Sequence, residues 1–217
     1  MSHPILYSLR QCPYAMRARI GLLLAKQTVL LRDIVMKNIP SEMLAVSPKG
    51  TVPVLLFDDS SVIEESIDIM TWALKQNDPS NLLRSHQPND YQEMFELIKR
   101  NDNEFIEALN KYKAAARYHD AAESTYRRQC EPFITYLEEC LTRHDYLIGA
   151  TPSLADYAIL PFIRQFSRVD RKWYLQAPYP KLQHWLERHY QNPIFSKAMT
   201  KYPQWLDNKE SILFGSE

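Results

Sequence analysis

Cys12 is the side chain best placed, by type and spacing, to do chemistry in this 217-residue chain. It stands directly before Pro13 in the run Tyr7-Ser-Leu-Arg-Gln-Cys-Pro-Tyr-Ala-Met-Arg-Ala-Arg19. Proline favours the first helical position, so the spacing predicts Cys12 at the N-cap of a helix opening at Pro13. There the unpaired helix N–H groups and the positive dipole end favour a thiolate over a thiol. Arg10, Arg17 and Arg19 would add positive potential if their heads lie near. A thiol lowered from its ordinary ~8.5 is nucleophilic near neutral pH.

The residue three positions on is Ala15. A dithiol oxidoreductase needs a second cysteine there, one helical turn away, to resolve a mixed disulfide. Cys12 is therefore expected to act as a monothiol, with a small thiol supplying the second sulfur. Cys130 and Cys140 fall inside a predicted helix and are expected to be buried packing residues. Three cysteines without metal spacing predict no metal site, and His184 and His189 are five apart, missing the same-face spacing of a helical metal pair.

These residues must be positioned by elements that change character near residue 80. Ile5-Leu-Tyr reads as a strand, and Pro13 to Lys26 as a helix with an apolar face of Ala15, Ile20, Leu23 and Leu24. Val29 to Val35 is rich in strand formers, and Pro40 to Val46 reads as a short helix. Val54 to Phe57 and Ser61 to Ile63 flank Asp58-Asp59-Ser60 as a hairpin, and Ile67 to Lys75 closes the unit as a helix. The order is βαβαββα, an α/β domain over residues 1–78. Turn residues fill a linker over 79–87. From 88 to 217 no strand is predicted; Tyr91 to Arg117, Ala121 to Arg143, Leu154 to Phe166 and Lys181 to Tyr190 suit helices, which makes the second domain all-α. Thr151-Pro-Ser-Leu-Ala-Asp156 contains a capping box that serves folding.

Composition excludes several classes. Lys+Arg and Asp+Glu both number 26, so no basic surplus exists to displace counterions from nucleic acid or to hold a polybasic segment on a membrane. Only four glycines occur, none clustered as a phosphate-binding loop requires. The run Ile20 to Ala25 is far short of the ~20 apolar residues that span a bilayer, and Met1 to Tyr7 lacks a signal-peptide pattern. The expected compartment is a reducing cytoplasm.

Three runs carry a resemblance. Cys12-Pro-Tyr-Ala-Met-Arg-Ala-Arg, Ser47-Pro-Lys-Gly-Thr-Val-Pro-Val-Leu55 and Ile63-Glu-Glu-Ser-Ile-Asp-Ile69 occur in that order. Together they resemble the cytosolic glutathione transferase family, in its cysteine-type, omega-like branch. The resemblance implies a thioredoxin-like domain that binds glutathione as co-substrate, followed by a helical domain, and a homodimer. Cys12 would be the nucleophile. Val52-Pro53 would form a cis-proline corner, with the Val52 backbone pairing the cysteinyl part of glutathione. Glu65 and Ser66 would hold its γ-glutamyl end, a role consistent with Ser66 opening a helix and capping it. The branch often places a lysine before Pro40, reaching glutathione's glycine carboxylate. Here that residue is Ile39, leaving Lys37 or Lys49 as substitutes.

The resemblance thus implies a glutathione-dependent transferase or thioltransferase acting on a small electrophilic or disulfide acceptor. Two other readings stand beside it. One is a non-catalytic interaction module on the same fold. The other is a conventional transferase that activates glutathione with the hydroxyl of Tyr7 or Ser8. Tyr112, Tyr118, Trp173 and Tyr174 are candidates to line an acceptor pocket, or else packing residues.

Overall fold

The computed structural model describes residues 3–216. Its first elements follow the expected order: β1 (Ile5–Ser8), α1 (Pro13–Leu24), β2 (Val29–Asp33), α2 (Ser41–Val46), β3 (Val54–Leu56), β4 (Val62–Ile63) and α3 (Ser66–Gln76). The parallel pairing of β1 with β2 makes α1 a crossover helix, and β3 returns antiparallel to β1. The β3–β4 hairpin closes at Ser60, whose backbone is left-handed, while the Asp59 carboxylate accepts from Ser61 N and Oγ. α1 and α3 meet at Gly21, where a Cβ would fall 2.9 Å from the Met70 Cα. Only glycine allows that approach.

The remaining helices are α4 (Pro88–Arg100), α5 (Ile106–Tyr118), α6 (Glu123–Arg143), α7 (Leu154–Val169), α8 (Arg171–Gln176), α9 (Pro180–Gln191), α10 (Pro193–Ala198) and α11 (Trp205–Asn208). The single helix expected over Tyr91 to Arg117 is divided by a π-helical segment at Asn101–Phe105, where the Asn101 side chain is buried and donates to Asp102. At the start of α7, Asp156 is fully buried and accepts from Ser153 N, Ser153 Oγ, Leu147 N and Trp185 Nε1. The capping box is therefore also a four-donor anchor for two neighbouring segments.

One expectation needs correction. A fifth strand, β5 (Ile212–Phe214), pairs antiparallel with the open edge of β2, giving a sheet of order β4-β3-β1-β2-β5. Residues 192–217, expected with the helical half, group with Met1–Ser80, and Asn81–Gln191 form the second compact unit. The physical reason is burial: Trp205 enters a core of Tyr7, Ala15, Ile34, Met43, Val52 and Val54.

Candidate functional site

The N-cap of α1 is Cys12, with extended backbone angles, and Pro13 follows as the first helical residue. Its side chain makes no capping hydrogen bond. The Sγ instead lies 3.8 Å from the Val52 carbonyl oxygen, close enough for a thiol to donate to it. The Val52–Pro53 peptide bond is cis, as the resemblance implies. Cys12 is half-buried, whereas Cys130 and Cys140 are buried inside α6. Burial pushes the Cys130 thiol up to about 12.

Arg19, one of the three arginines flanking Cys12 in sequence, is committed to other partners. Arg19 is fully buried; its Nε donates to Ser8 Oγ at 2.8 Å, and its guanidinium pairs with the Asp33 carboxylate. Desolvation pushes Arg19 down and Asp33 up, and their mutual attraction only partly offsets it. Arg17 is also buried, 5.9 Å from the Tyr14 ring centroid. Arg19 therefore fastens β1 and β2 to α1.

The same packing commits the two candidate hydroxyls. Ser8 is fully buried and accepts from Arg19. Tyr7 is 1 % exposed, and its hydroxyl accepts from Arg32 Nη1 at 2.7 Å. The Arg32 guanidinium stacks over the Trp205 ring at 4.3 Å and its Nε donates to Ser211 Oγ. Tyr7 is a core residue held by a charged donor, not a hydroxyl open to a ligand.

Glu65, not Ser66, occupies the N-cap of α3, and Ser66 is the buried first helical residue. The expectation that Ser66 caps the helix is corrected by one position, because Glu65 still has extended backbone angles. Lys49 bridges Glu64 at 3.1 Å and Glu65 at 3.3 Å, and the hydrogen bonds it donates to Glu64, then Glu65, hold its ammonium above the usual range. Ser47 Oγ donates to Glu64 at 2.6 Å. Lys49 is thus tied to the start of α3. Ile39 packs against the Tyr7–Trp205 core, so that position is used for packing. Lys37 lies exposed in the turn after β2. Within the first unit the structure therefore brings Cys12 to the Val52 carbonyl and joins Glu65 to Lys49.

Sequence reasoning missed the C-terminal residues at this site. Trp205 packs edge-on to Tyr7, and Lys209 lies 4.1 Å over the Trp205 ring while pairing with Glu42 of α2 at 3.0 Å. The only local signal was one tryptophan followed by a short apolar run. Of the four aromatic residues considered for an acceptor pocket, Tyr112 and Tyr174 are buried around Phe166, and Tyr118 is largely exposed. Tyr112 and Tyr174 are packing residues. Among the described residues, no group of three or more His, Cys, Asp or Glu is arranged to hold a metal ion, and no helix is long and apolar enough to cross a membrane.

A cis-proline α/β unit followed by a helical unit defines the glutathione transferase fold. Residues 6–81 match the family model for the glutathione S-transferase N-terminal domain, and residues 113–188 match that for the C-terminal domain. The chain belongs to the glutathione S-transferase family. Its curated relatives include glutathione S-transferase omega-1 of Mus musculus, 24% identical with 88% of this chain and 78% of that protein covered. Omega-1 of Sus scrofa is 26% identical at the same coverages. Among solved structures, glutathione S-transferase-I bound with lactoylglutathione superposes with a TM-score of 0.77, at 22% identity, over 91% of this chain and 99% of that one. A family member from Pseudomonas fluorescens with two glutathione bound gives 0.78 at 16% identity, over 91% and 92%.

Proposed function

We propose that this chain is a cytoplasmic, homodimeric glutathione-dependent thioltransferase in which Cys12 is the sole nucleophile. The observation that carries the reading is the pairing of a half-buried N-cap thiol with the Val52 carbonyl, in a family whose co-substrate is glutathione. Glutathione lies along Val52, with its γ-glutamyl end at Glu65 and Ser66 and its glycine carboxylate toward Lys37.

In the resting enzyme a Cys12 S–H donating to the Val52 oxygen favours the neutral thiol, while the α1 N-terminus favours the thiolate. A glutathione N–H that takes the same carbonyl competes with the thiol for that acceptor. The balance then shifts to thiolate when the site fills.

The Cys12 thiolate attacks the glutathione sulfur of a mixed disulfide. The Cys12–glutathione S–S bond forms as the substrate S–S bond breaks, and the substrate sulfur leaves as a thiolate that takes a proton from water. A second glutathione, as thiolate, attacks that adduct, releases glutathione disulfide and returns Cys12. Ala15 offers no competing thiol. Dehydroascorbate has no S–S bond and enters differently: the Cys12 thiolate adds to a ring carbonyl. A first glutathione thiolate attacks the Cys12 sulfur, so that the S–C bond breaks and ascorbate leaves with the electron pair. A second glutathione releases the Cys12 adduct as glutathione disulfide; conjugation of carbon electrophiles is secondary.

Cys12→Ser tests this directly. Turnover of glutathione mixed disulfides is expected to vanish with the melting temperature nearly unchanged, since no side-chain cap is lost. Full activity in that variant would assign the nucleophile elsewhere.

A further inference from the structure

In the helical unit, α8 and α9 both pack on α7, and a cleft of about 290 Å³ lies among the three helices. Tyr174 and Leu186 are buried in its wall, and Leu175, 60 % exposed, forms an apolar lip. Gln183 Nε2 donates to the Tyr174 and Ala177 carbonyls, which fastens the end of α8 to α9 and fixes that wall.

Charges of both signs edge this cleft: Arg168 of α7, Arg171 of α8 and Glu187 of α9, all exposed. Among the described residues, no ion pair joins either arginine to that carboxylate, which accepts from the neutral Gln191 amide at 3.2 Å. Burial raises the Tyr190 pKa; a Ser167 hydrogen bond and the positive charges of Arg164 and Arg168 oppose the rise, and Glu187 adds to it. The Tyr190 hydroxyl thus sits in the field of both signs at once. The Tyr174 ring packs edge-on against Phe166, yet its hydroxyl, on a residue 3 % exposed, has no hydrogen-bond partner among the described residues. A buried hydroxyl without a partner carries a desolvation cost that an acceptor would offset.

We propose that this cleft binds a free α-amino acid with an apolar side chain. A bare anion would meet Glu187 and a bare cation would meet two guanidiniums, whereas a zwitterion satisfies both. Its carboxylate takes an arginine fork and the Tyr174 hydroxyl, and its ammonium meets the Glu187 carboxylate. The volume stands at the lower end of the ~300–1,000 Å³ of small-molecule sites, and Leu175 and Leu186 suit an aliphatic side chain.

Calorimetric titration of the full chain with L-leucine tests the proposal. Saturable one-site binding is expected, with 4-methylpentanoate and 3-methylbutylamine, each lacking one of the two charges, weaker by about tenfold or more. Glu187→Gln should weaken leucine about tenfold or more and leave 4-methylpentanoate no weaker. The double variant Arg168→Gln, Arg171→Gln should weaken leucine by a similar factor, and Tyr174→Phe, which keeps the ring packing, by several-fold. Lys172→Ala, on α8 but outside the cleft, should leave affinity unchanged. Arg168, Arg171 and Glu187 are exposed, so their variants should fold, and amide NMR shifts on adding leucine to wild type should cluster at 167–175 and 183–190. Absent saturation, either analogue binding as tightly as leucine, unchanged leucine affinity in any of the three cleft variants, equal loss in Lys172→Ala, or shifts spread outside those segments would each overturn the assignment.

Discussion

The Cys12 Sγ and the Val52 carbonyl oxygen lie 3.8 Å apart, joining the start of α1 to the cis-proline corner. The same carbonyl is the atom with which the proposed glutathione would pair. Under the proposed function, substrate binding and thiol activation would be coupled through this one acceptor.

That coupling gives a first prediction. Saturation with S-methylglutathione, which cannot form a disulfide, should lower the Cys12 pKa relative to the empty enzyme. Thiolate absorbance at 240 nm, titrated in a Cys130→Ala, Cys140→Ala background, reads the shift. An unchanged or raised value would disconnect the carbonyl from activation.

Glu65 and Ser66 supply a second prediction. Losing a hydrogen bond to a charged group costs about 1.5–3 kcal/mol, or roughly tenfold to a hundredfold in affinity. Glu65→Ala and Ser66→Ala should each weaken glutathione binding by that amount in calorimetry. Glu65 pairs with an exposed Lys49, a contact worth little, so Glu65→Ala should hardly change stability. Unaltered affinity in both variants would remove this pair from the site.

His189 sets a third, through pH. It is 3 % exposed, against the Trp185 ring at 4.6 Å and beside Tyr157, and burial lowers its pKa from 6.5 to about 4, with Asp156 opposing. The unfolded chain takes up the proton near 6.5 and the folded one only near 4, so the unfolded state binds more protons across that window. Stability is retained above about pH 6.5 and lost as pH falls toward 4, by on the order of 3 kcal/mol in all. Urea denaturation at about pH 7 and about pH 5 should show this slope in wild type and a shallower one in His189→Phe. Identical slopes would place the acid sensitivity on other groups.

The parts of this site that were legible in sequence are those built from contiguous residues. Cys12-Pro13 marks a helix start because proline fits its first position, and Val52-Pro53 and Glu65-Ser66 sit at the ends of short, well-patterned elements. What was hidden depends on partners far along the chain. Arg19 reads as a positive neighbour of Cys12, yet Asp33 and Ser8 claim it. β5 is three residues long, too short to show alternation, and exists because β2 offers it an open edge. Tyr7 reads equally as catalyst or core until Arg32 and Trp205 are seen around it. Asn101, an amide followed directly by Asp102, marks the π-helical break only once its burial is known.

Mass spectrometry after treatment with glutathione disulfide tests the central claim most directly. The account predicts a single glutathione adduct, mapped to Cys12, that glutathione reverses and that is missing from Cys12→Ser. An adduct on Cys130 or Cys140, or none on the native protein, would contradict it.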